Sequence, residues 1–242
     1  MNLSVVVPIY NEAENIEALI HEITATLEGE RYEIIYVDDA SSDPSLSILQ
    51  KKQNDLPQLK IIQHQTRRGQ SAALYSGVQA AQSTWVVSLD GDGQNDPQDI
   101  PRMLAARDQS EDPNLRLLIG WRTQRKDNWV RRQSSKIANS VRSFLLKDHT
   151  PDSGCGIKLF HRNAFLDLPF FDHMHRFLPA LISRDGGTIL SVPVNHRPRL
   201  HGKSKYGINN RLWVGITDLI GVAWLQRRAT IHPDETPEAQ KS

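Results

Sequence analysis

The sequence predicts an α/β fold with a mostly parallel sheet and helices on both faces. Short apolar segments alternate with amphipathic helical patterns along the chain, as in parallel strands joined by crossover helices. The 242 residues, 38% of them hydrophobic, are enough to bury a sizeable core. Strands are predicted near residues 3–8, 33–37, 59–63, 85–89, 115–120 and 189–194, and helices near 13–28, 44–53, 69–82, 129–146 and 177–185.

The first strand and helix have the clearest signals. The β-prone residues 3–7 end at Pro8, which has no N–H to donate to a ladder. A helix follows because apolar residues recur at helical spacing. These residues are Ile16, Leu19, Ile20, Ile23 and Leu27.

The segment 212–225 predicts an amphipathic helix. It contains Trp213 and Trp224, and Arg211 and Arg227 flank it, which suits a membrane interface. An ordinary helix packed on the domain explains the same pattern equally well. The segment is shorter than the roughly 20 apolar residues that a span needs, and it contains Asp218.

Two aspartates follow the apolar segment 85–89. Residues 90–94 read Asp-Gly-Asp-Gly-Gln, so Asp90 and Asp92 would lie at the carboxyl edge of the sheet, where open α/β sheets bind ligands. Carboxylates one residue apart suit Mg²⁺ or Mn²⁺ shared with substrate phosphates. An acidic surface turn, with glycines at 91 and 93, is the alternative.

A second acidic segment follows the strand at 33–37. Residues 38–43 read Asp-Asp-Ala-Ser-Ser-Asp, and an acidic residue at a strand end can accept from a ribose hydroxyl or a base N–H. The alternative is a capped turn that opens the helix beginning near Pro44.

These segments, with several later ones, resemble a known family. Residues 7–12 (Val-Pro-Ile-Tyr-Asn-Glu), 37–43, 69–77 and 90–94 are similar in order and spacing to family 2 glycosyltransferases. Later segments resemble its polyprenyl-phosphate (dolichol-phosphate mannosyltransferase-like) branch: Gly-Trp-Arg at 120–122, then 131–135, 152–156 and 199–206. Residues 175–179 (His-Arg-Phe-Leu-Pro) resemble a signature of bacterial lipid-A-associated relatives, where it would open a helix near the membrane.

The resemblance covers about residues 2–228. It implies a GT-A-like nucleotide-sugar-binding domain over residues 1–206. We expect an amphipathic interfacial helix at 207–229 and a disordered tail at 230–242, where the composition is polar and contains two prolines.

The resemblance also implies inverting, metal-dependent transfer of a sugar from a GDP- or UDP-linked donor by single displacement. Asp92 would be the main ligand of Mg²⁺ or Mn²⁺, Gln94 a second ligand, and Asp90 would contact the ribose, the metal or a metal-bound water. The residues predicted to bind the donor's base and ribose are Pro8, Tyr10, Glu12, Asp38 and Asp39.

The acceptor is predicted from the basic residues. A phosphate monoester is already largely ionised at neutral pH, so it needs positioning more than a general base, and the arginine fork fits phosphate oxygens. By resemblance, Arg122, Arg132 and Ser135 would hold the phosphate of a polyprenyl phosphate. Arg199 would meet the lipid phosphate or the diphosphate, and Lys205 lies in the same basic substrate-binding segment. Asp92, Arg122 and Arg132 are the predicted catalytic residues.

Two alternative functions remain open at this stage. A sugar hydroxyl acceptor would need a base, and Asp152 lies where the wider family often keeps one. A non-catalytic partner subunit of the same fold is the other, although paired carboxylates at Asp90 and Asp92 argue against it. The formal net charge of +1 does not indicate nucleic-acid binding.

The chain is expected in the cytoplasm, peripheral on the inner face of the plasma membrane. Its only cysteine, Cys155, fits a reducing compartment and looks like a packed residue rather than a nucleophile. Neither a secretion signal nor a transmembrane segment is evident. The predicted partners are the nucleotide sugar, the polyprenyl phosphate, the membrane surface and a small membrane protein.

Overall fold

The computed structural model describes residues 2–122, 145–146, 150–198 and 208–228, with side chains in the last segment described from residue 215. The described strands are β1 (Leu3–Ile9), β2 (Tyr32–Asp38), β3 (Leu59–Gln63), β4 (Trp85–Ser88), β5 (Leu115–Arg122), β6 (Lys158–His161) and β7 (Thr188–Val194). The described helices are α1 (Ala13–Thr26), α2 (Ser45–Gln53), α3 (Gln70–Ala80), α4 (Asp99–Asp108), α5 (Arg162–Leu166), α6 (Leu178–Arg184) and α7 (Ile208–Arg227). Most of the predicted helix at 129–146 lies outside the described residues.

The strands form one sheet in the order β3-β2-β1-β4-β6-β5-β7. Strands β1 to β4 are parallel, as are β5 and β7. Strand β6, which the sequence analysis did not predict, is antiparallel to both its neighbours. The mostly parallel sheet predicted from the alternating pattern is therefore confirmed, with one inserted antiparallel strand near its centre.

The sheet buries both of its faces. Along β1, Val5 and Val7 pack into one core with α1, whereas Val6 packs into the other with α3 and α6. Burial on both faces explains why the strand reads as a continuous apolar run rather than an alternating one. Close packing of α3 on the sheet depends on Gly77, because a Cβ there would lie 2.4 Å from Val6 Cγ1.

The packing of helix α7 agrees with the domain-packed interpretation of its sequence, and the membrane-interface interpretation stays a prediction. One face packs on the domain: Val222 is buried, and Gln226 Nε2 donates to the carbonyl oxygen of Ala180 at 3.3 Å. The opposite face exposes Ile216, Ile220 and Trp224, by 42%, 63% and 57%, at four-residue spacing. None of the helices in the described part of the chain has the length and hydropathy to cross a membrane. The predicted domain boundary near residue 206 lies outside the described residues and stays a prediction.

Candidate functional site

The candidate site lies at the carboxyl edge of the sheet, where β1, β2, β4 and β5 end. Because β6 runs the other way, its first residue is at the same edge, and Lys158 pairs with Ser88 at the end of β4. This topology gathers the predicted donor residues on one side and Arg122 on the other.

The loops after β1 and β2 are joined by hydrogen bonds. Asn11, in the left-handed region at φ 53°, donates its N–H to Ser41 Oγ at 2.8 Å and accepts from the Ser42 N–H at 2.7 Å through Oδ1. The N–H groups of Glu12 and Ala13 donate to Ser45 Oγ and Asp43 Oδ2. The β2 loop therefore caps the start of α1.

Asp43 also accepts from the Ser45 N–H at 3.0 Å, next to the start of α2. The capped-turn interpretation of residues 38–43 therefore describes Asp43 well. It does not describe the two aspartates that precede it, which have different partners.

Asp39 anchors the loop that leads into α3. It is 4% exposed, and its carboxylate accepts from the N–H groups of Arg68 and Gly69, both at 2.8 Å. It also lies 2.8 Å from His64 Nδ1, and His64 Nε2 is 3.0 Å from Ser76 Oγ. The structure thus gives Asp39 a positioning role, and its predicted direct contact with substrate stays a prediction.

Asp38 is fully buried. Its Oδ1 accepts from the Ser41 N–H at 3.2 Å, and Oδ2 is buried without a hydrogen-bond partner among the described residues. A buried unpaired carboxylate oxygen is costly, which marks this position as one where a ligand donor would be favourable.

The other predicted donor residues line the neighbouring loop. Pro8, Tyr10 and Glu12 are all partly exposed. The guanidinium of Arg67 lies over the Tyr10 ring, 4.1 Å from its centroid, and Glu12 Oε2 accepts from Asn15 Nδ2 at 2.8 Å. Sequence reasoning missed Arg67, whose contact with Tyr10 joins the β3–α3 loop to the β1 loop.

Asp90 and Asp92 lie in a tightly folded loop after β4. Asp90 Oδ1 accepts from Gln70 Nε2 at 2.9 Å, and the Asp90 N–H donates to Asn95 Oδ1 at 2.9 Å. Asp92 Oδ1 accepts from the Gln94 N–H at 3.1 Å. Burial, and next the negative charge of Asp92, raise the pKa of Asp90, whereas Lys158, Gln70 and Arg122 oppose the shift.

Gly156 allows the close approach of the next segment to this loop. A Cβ at residue 156 would lie 2.0 Å from Asp90 Oδ2 and 2.6 Å from Asn95 Oδ1, closer than real contacts allow. Glycine is therefore required there for Asp90 to keep its position.

Lys158 places a buried positive charge beneath the site. It is 5% exposed, and its ammonium donates to the carbonyl oxygen of Cys155. Burial lowers the pKa of Lys158, while Cys155, Asp90 and Asp152 oppose that shift. Sequence reasoning missed Lys158, because only the pairing of β6 with β4 reveals its neighbours.

Arg122 and Asp152 form a bidentate ion pair. Arg122 Nε and Nη2 donate to the two carboxylate oxygens of Asp152 at 2.6 and 2.8 Å. The side chains are 14% and 5% exposed. Asp152 thus orients Arg122. Cys155, beside them in the chain, is fully buried and burial raises the pKa of its thiol.

The four predicted substrate residues Arg132, Ser135, Arg199 and Lys205 lie outside the described residues, and their roles stay predictions. Residues 175–179, which resemble the signature of lipid-A-associated relatives, do lead into a helix, α6, which begins at Leu178. In that segment, His175 Nδ1 lies 2.8 Å from Ser71 Oγ, and burial lowers the pKa of His175 well below its usual value.

The residues of the Asp90 loop fit a hard divalent cation. Two carboxylates close enough to repel each other favour a cation between or beside them. Gln94 Nε2 donates to the carbonyl oxygen of Arg197 at 3.4 Å, so the side-chain oxygen that a cation needs is not used in that bond. Within the described ranges, no three His, Cys, Asp or Glu side chains form a metal site alone, and such ions commonly take further ligands from substrate phosphates and water.

Comparison with solved structures supports the GT-A-like fold. Glucosyl-3-phosphoglycerate synthase from Mycobacterium tuberculosis, in complex with Mg²⁺ and UDP, matches with a TM-score of 0.68 at 18% identity, covering 96% of this chain and 81% of that one. A mannosyltransferase from Pyrobaculum calidifontis, in complex with GDP-Man and Mn²⁺, matches with a TM-score of 0.63 at 21% identity, covering 96% and 66%.

Comparison with curated proteins gives nearer relatives. The chain is 35% identical over 233 residues to dodecaprenyl-phosphate galacturonate synthase of Rhizobium johnstonii, covering 94% of this chain and 68% of the relative. It is 32% identical over 211 residues to undecaprenyl-phosphate 4-deoxy-4-formamido-L-arabinose transferase of Edwardsiella ictaluri, covering 85% and 63%. The chain thus spans about two thirds of the length of these relatives.

The model of the family described as glycosyl transferase family 2 matches residues 4–168, which include both aspartate loops and the Arg122–Asp152 pair. With the fold and relatives above, this confirms the resemblance read from the motifs: the chain belongs to glycosyl transferase family 2.

Proposed function

We propose that this chain transfers a sugar from a GDP- or UDP-linked donor to a polyprenyl phosphate. The product would be a polyprenyl-phosphate sugar that serves as donor for modification of lipid A or an envelope glycan. The two curated relatives named above are polyprenyl-phosphate sugar transferases, and this relationship supports the choice of acceptor.

The Arg122–Asp152 ion pair is the observation that carries the proposal. Both oxygens of Asp152 accept from Arg122, so taking a proton would cost a charge-assisted hydrogen bond. Asp152 is therefore a poor general base, whereas the Arg122 guanidinium is held in a fixed orientation. That combination suits an acceptor that arrives as an ionised phosphate.

The donor would bind across the ends of β1, β2 and β4. Pro8, Tyr10 and Glu12 would shape the pocket for the base, Asp38 would accept from the base or ribose, and Asp39 would hold the adjoining loop. Asp92, with Gln94 and Asp90, would hold Mg²⁺ or Mn²⁺. Such an ion supplies neutralisation of the diphosphate leaving group.

Transfer would occur with inversion in one displacement. An oxygen of the lipid phosphate forms a bond to the anomeric carbon while the bond to the nucleoside diphosphate breaks on the opposite side. Arg122, with Arg132 and Ser135, would orient the acceptor phosphate, and Arg199 and Lys205 would meet the phosphates from the basic segment. No proton needs to be removed, because the attacking oxygen is already ionised.

The exposed face of α7 would bring the chain to its lipid. Ile216, Ile220 and Trp224 form an apolar stripe, and Arg228 lies 5.7 Å from the Trp224 ring centroid. Apolar and basic signals together are typical of interfacial attachment. We propose a peripheral location on the inner face of the plasma membrane, with the membrane surface or a small membrane protein as partner. Fractionation of cells would test this, since salt or mild detergent should release the chain from membranes.

Organic-phase labelling tests the reaction. Purified full-length chain would be mixed with a short polyprenyl phosphate, Mn²⁺ or Mg²⁺ and a panel of radiolabelled UDP- and GDP-sugars. We expect label in the organic phase with metal and lipid phosphate present, and none with Asp92→Asn.

The other acceptor class has its own outcome. Label on a water-soluble sugar, together with complete loss of transfer in Asp152→Asn, would contradict the lipid-phosphate proposal and favour Asp152 as a base. Absence of any transfer or donor hydrolysis with every donor would favour a non-catalytic partner subunit.

A further inference from the structure

Residues 90–94 form the loop that is proposed to hold the metal and is called the metal loop below. This loop is hydrogen-bonded to a segment far away in the chain. Residues 195–197, which follow β7, run beside the loop after β4, and Asn95 and His196 form an antiparallel bridge. The Arg197 N–H donates to the carbonyl oxygen of Gln94 at 3.0 Å, and Gln94 Nε2 donates back to the carbonyl oxygen of Arg197 at 3.4 Å. A proposed metal ligand is therefore paired with Arg197 through both its backbone and its side chain.

Charged side chains reinforce this backbone pairing. Arg197 Nη2 donates to Asp96 Oδ1 at 2.6 Å, while Nη1 donates to Glu22 Oε2 of α1 at 2.8 Å. Asp96 is 8% exposed and Arg197 is 33% exposed. The fork of one arginine thus joins Asp96, two residues after the loop, to Glu22 of α1, which lysine could not do with the same geometry.

Asn195 adds two hydrogen bonds of the same kind. Its N–H donates to Asp99 Oδ2 at 2.7 Å, and its Nδ2 donates to Asp96 Oδ2 at 3.3 Å. Both carboxylates lie on the carboxyl side of the metal loop, at and just before the start of α4. The segment from 95 to 99 is therefore held on one side by residues that come about 100 positions later.

The amino side of the loop is connected to the same segment through Asn95. Asn95 Oδ1 accepts from the Asp90 N–H at 2.9 Å and closes the loop on itself. Asn95 therefore links the bridge to His196 with the backbone of the first aspartate. A displacement at Arg197 or Asp96 would pass to Asp90 through one residue.

We propose that Arg197 and Asp96 are positioning residues that set the geometry of the Asp90–Gln94 loop for metal and diphosphate binding. The inference rests on the proposed function for the identity of the ligand. The contacts of residues 195–197 with residues 94–99, called the clamp below, can be tested without any ligand. Outer partners that orient ligating groups commonly change metal affinity by about 10- to 100-fold when removed.

Two measurements on the full chain test the clamp. Backbone amide exchange of the peptide covering residues 90–96, without metal, should be about tenfold faster in Arg197→Gln, since the loop would open locally more often. The dissociation constant for Mn²⁺ alone, from the signal of free Mn²⁺ in electron paramagnetic resonance, should rise about tenfold. In transfer assays the Mn²⁺ concentration for half-maximal rate should rise more than kcat falls.

Arg102→Gln is the matched control. Arg102 also lies next to the end of β7, where Nη1 donates to the carbonyl oxygen of Pro193 at 2.9 Å. It pairs with Asp99 Oδ1 at 3.3 Å, the oxygen that does not accept from the Asn195 N–H, and it has no described contact with residues 90–96. We expect its loop exchange and Mn²⁺ binding to stay within about twofold of the unsubstituted chain, as for surface changes in general.

Asp96→Asn provides a second variant in case Arg197→Gln does not fold. It keeps the side-chain volume and removes the charge that Arg197 meets, so the same changes are expected, and the double variant should add little to either single one. Folded single variants with unchanged loop exchange and unchanged Mn²⁺ affinity would overturn the clamp. Faster loop exchange in a chain that binds no Mn²⁺ would support the clamp while contradicting the metal-dependent function.

Discussion

The loops after β1 and β2 are stabilised differently from the charged cluster of Asp90, Arg122, Asp152 and Lys158. In the first region, side chains of one loop cap the backbone of the other, and most partners come from residues 11–45. In the second, the partners are ionisable side chains brought together from the loop after β4, from β5 and β6, and from the segment before β6.

The first region depends on contacts between neighbouring loops, whereas the charged cluster depends on contacts between segments far apart in the chain. Hydrogen bonds between neighbouring loops can form once two parallel strands pair, and each is worth about 1 kcal/mol. Buried charges depend on every partner being present, because an unpaired one is costly. We therefore expect substitutions in the charged cluster to have larger effects on activity than substitutions in the first two loops.

Gly156→Ala should have the largest effect. A methyl group 2.0 Å from Asp90 Oδ2 must displace the carboxylate or the backbone, so we expect transfer to fall by more than about a hundredfold, the scale of a misplaced catalytic group. Unfolding free energy should fall by about 1–3 kcal/mol. Transfer assays and thermal melts would measure the two effects.

Gly154→Ala is the control for this substitution. Its added Cβ would lie 3.7 Å from Arg122 Nη2, which is ordinary contact. Equal losses in the two variants would mean that the whole segment, rather than the approach to Asp90, is sensitive to a methyl group.

Lys158→Met should have the next largest effect, and it should depend on pH. Lys158 opposes the upward shift in the pKa of Asp90, so its loss should raise that pKa further and protonate Asp90 at a higher pH. We expect transfer in the variant to fall more as the pH is lowered than it does in the unsubstituted chain, and the two chains to differ least in alkaline solution. The pH profile of transfer would show its acid limb displaced to higher pH.

Lys60→Met serves as the comparison for Lys158. Lys60 lies outside the site, and its Nζ is 2.7 Å from Glu33 Oε2. It should leave the acid limb in place. A uniform loss at all pH values in Lys158→Met would argue for a packing role instead of an electrostatic one.

Asp39→Asn tests the first loop pair. The amide cannot reproduce the three contacts that Asp39 makes with Arg68, Gly69 and His64, so we expect a loss of about 1–3 kcal/mol in unfolding free energy. Donor KM should rise several-fold with little change in kcat. Chemical denaturation and initial-rate measurements would report both quantities.

Asp55→Asn is the control, because Asp55 is exposed, and it should change neither the unfolding free energy nor the donor KM. If Asp39→Asn keeps full stability but alters the preference between UDP- and GDP-sugars, Asp39 contacts the base directly, and the positioning role assigned to it is wrong.

Glu33→Gln should have the smallest effect and only on stability. Burial raises the pKa of Glu33, but the contact with Lys60 and the hydrogen bonds from Ser4 and Gln82 outweigh burial and lower the pKa below its usual value. Such a group stabilises the fold above its unfolded pKa, and this contribution is lost as pH falls through the folded value. We expect the variant to lose about 1 kcal/mol at neutral pH and to show a flatter stability curve in acid.

Glu17→Gln is a suitable reference, because Glu17 is 60% exposed in its pair with Lys52 at 3.4 Å and should contribute less. Melting temperatures from pH about 3 to 7 would separate the two variants. If the melting temperatures of Glu33→Gln and the unsubstituted chain fall in parallel as the pH is lowered, Glu33 makes no pH-dependent contribution to stability.

Much of the fold was determined by local pattern. Apolar periodicity placed α1, α2, α3 and α6 within about two residues of their observed ends, because each buries one face on a sheet. The Asp-Gly-Asp turn after β4 was also recognisable from sequence, since a strand end, two glycines and two carboxylates stand together. Strand β6 and helices α4 and α5 escaped prediction. Strand β6 has four residues and α5 five, which carry little periodicity, and α4 interleaves polar residues with its buried Ile100 and Met103.

The partners of the site residues were decided only by tertiary structure. The sequence by itself identified Asp90 and Asp92 as functional candidates, because two carboxylates directly after a strand are readable residue by residue. Arg122 and Asp152 became candidates through the family resemblance. It could not show that Asp152 engages Arg122, that Lys158 lies beneath Asp90, or that Arg197 reaches Asp96. Those contacts depend on an antiparallel strand inserted between β4 and β5 and on a segment about 100 residues away, and long-range pairing leaves no local periodic signal in a sequence.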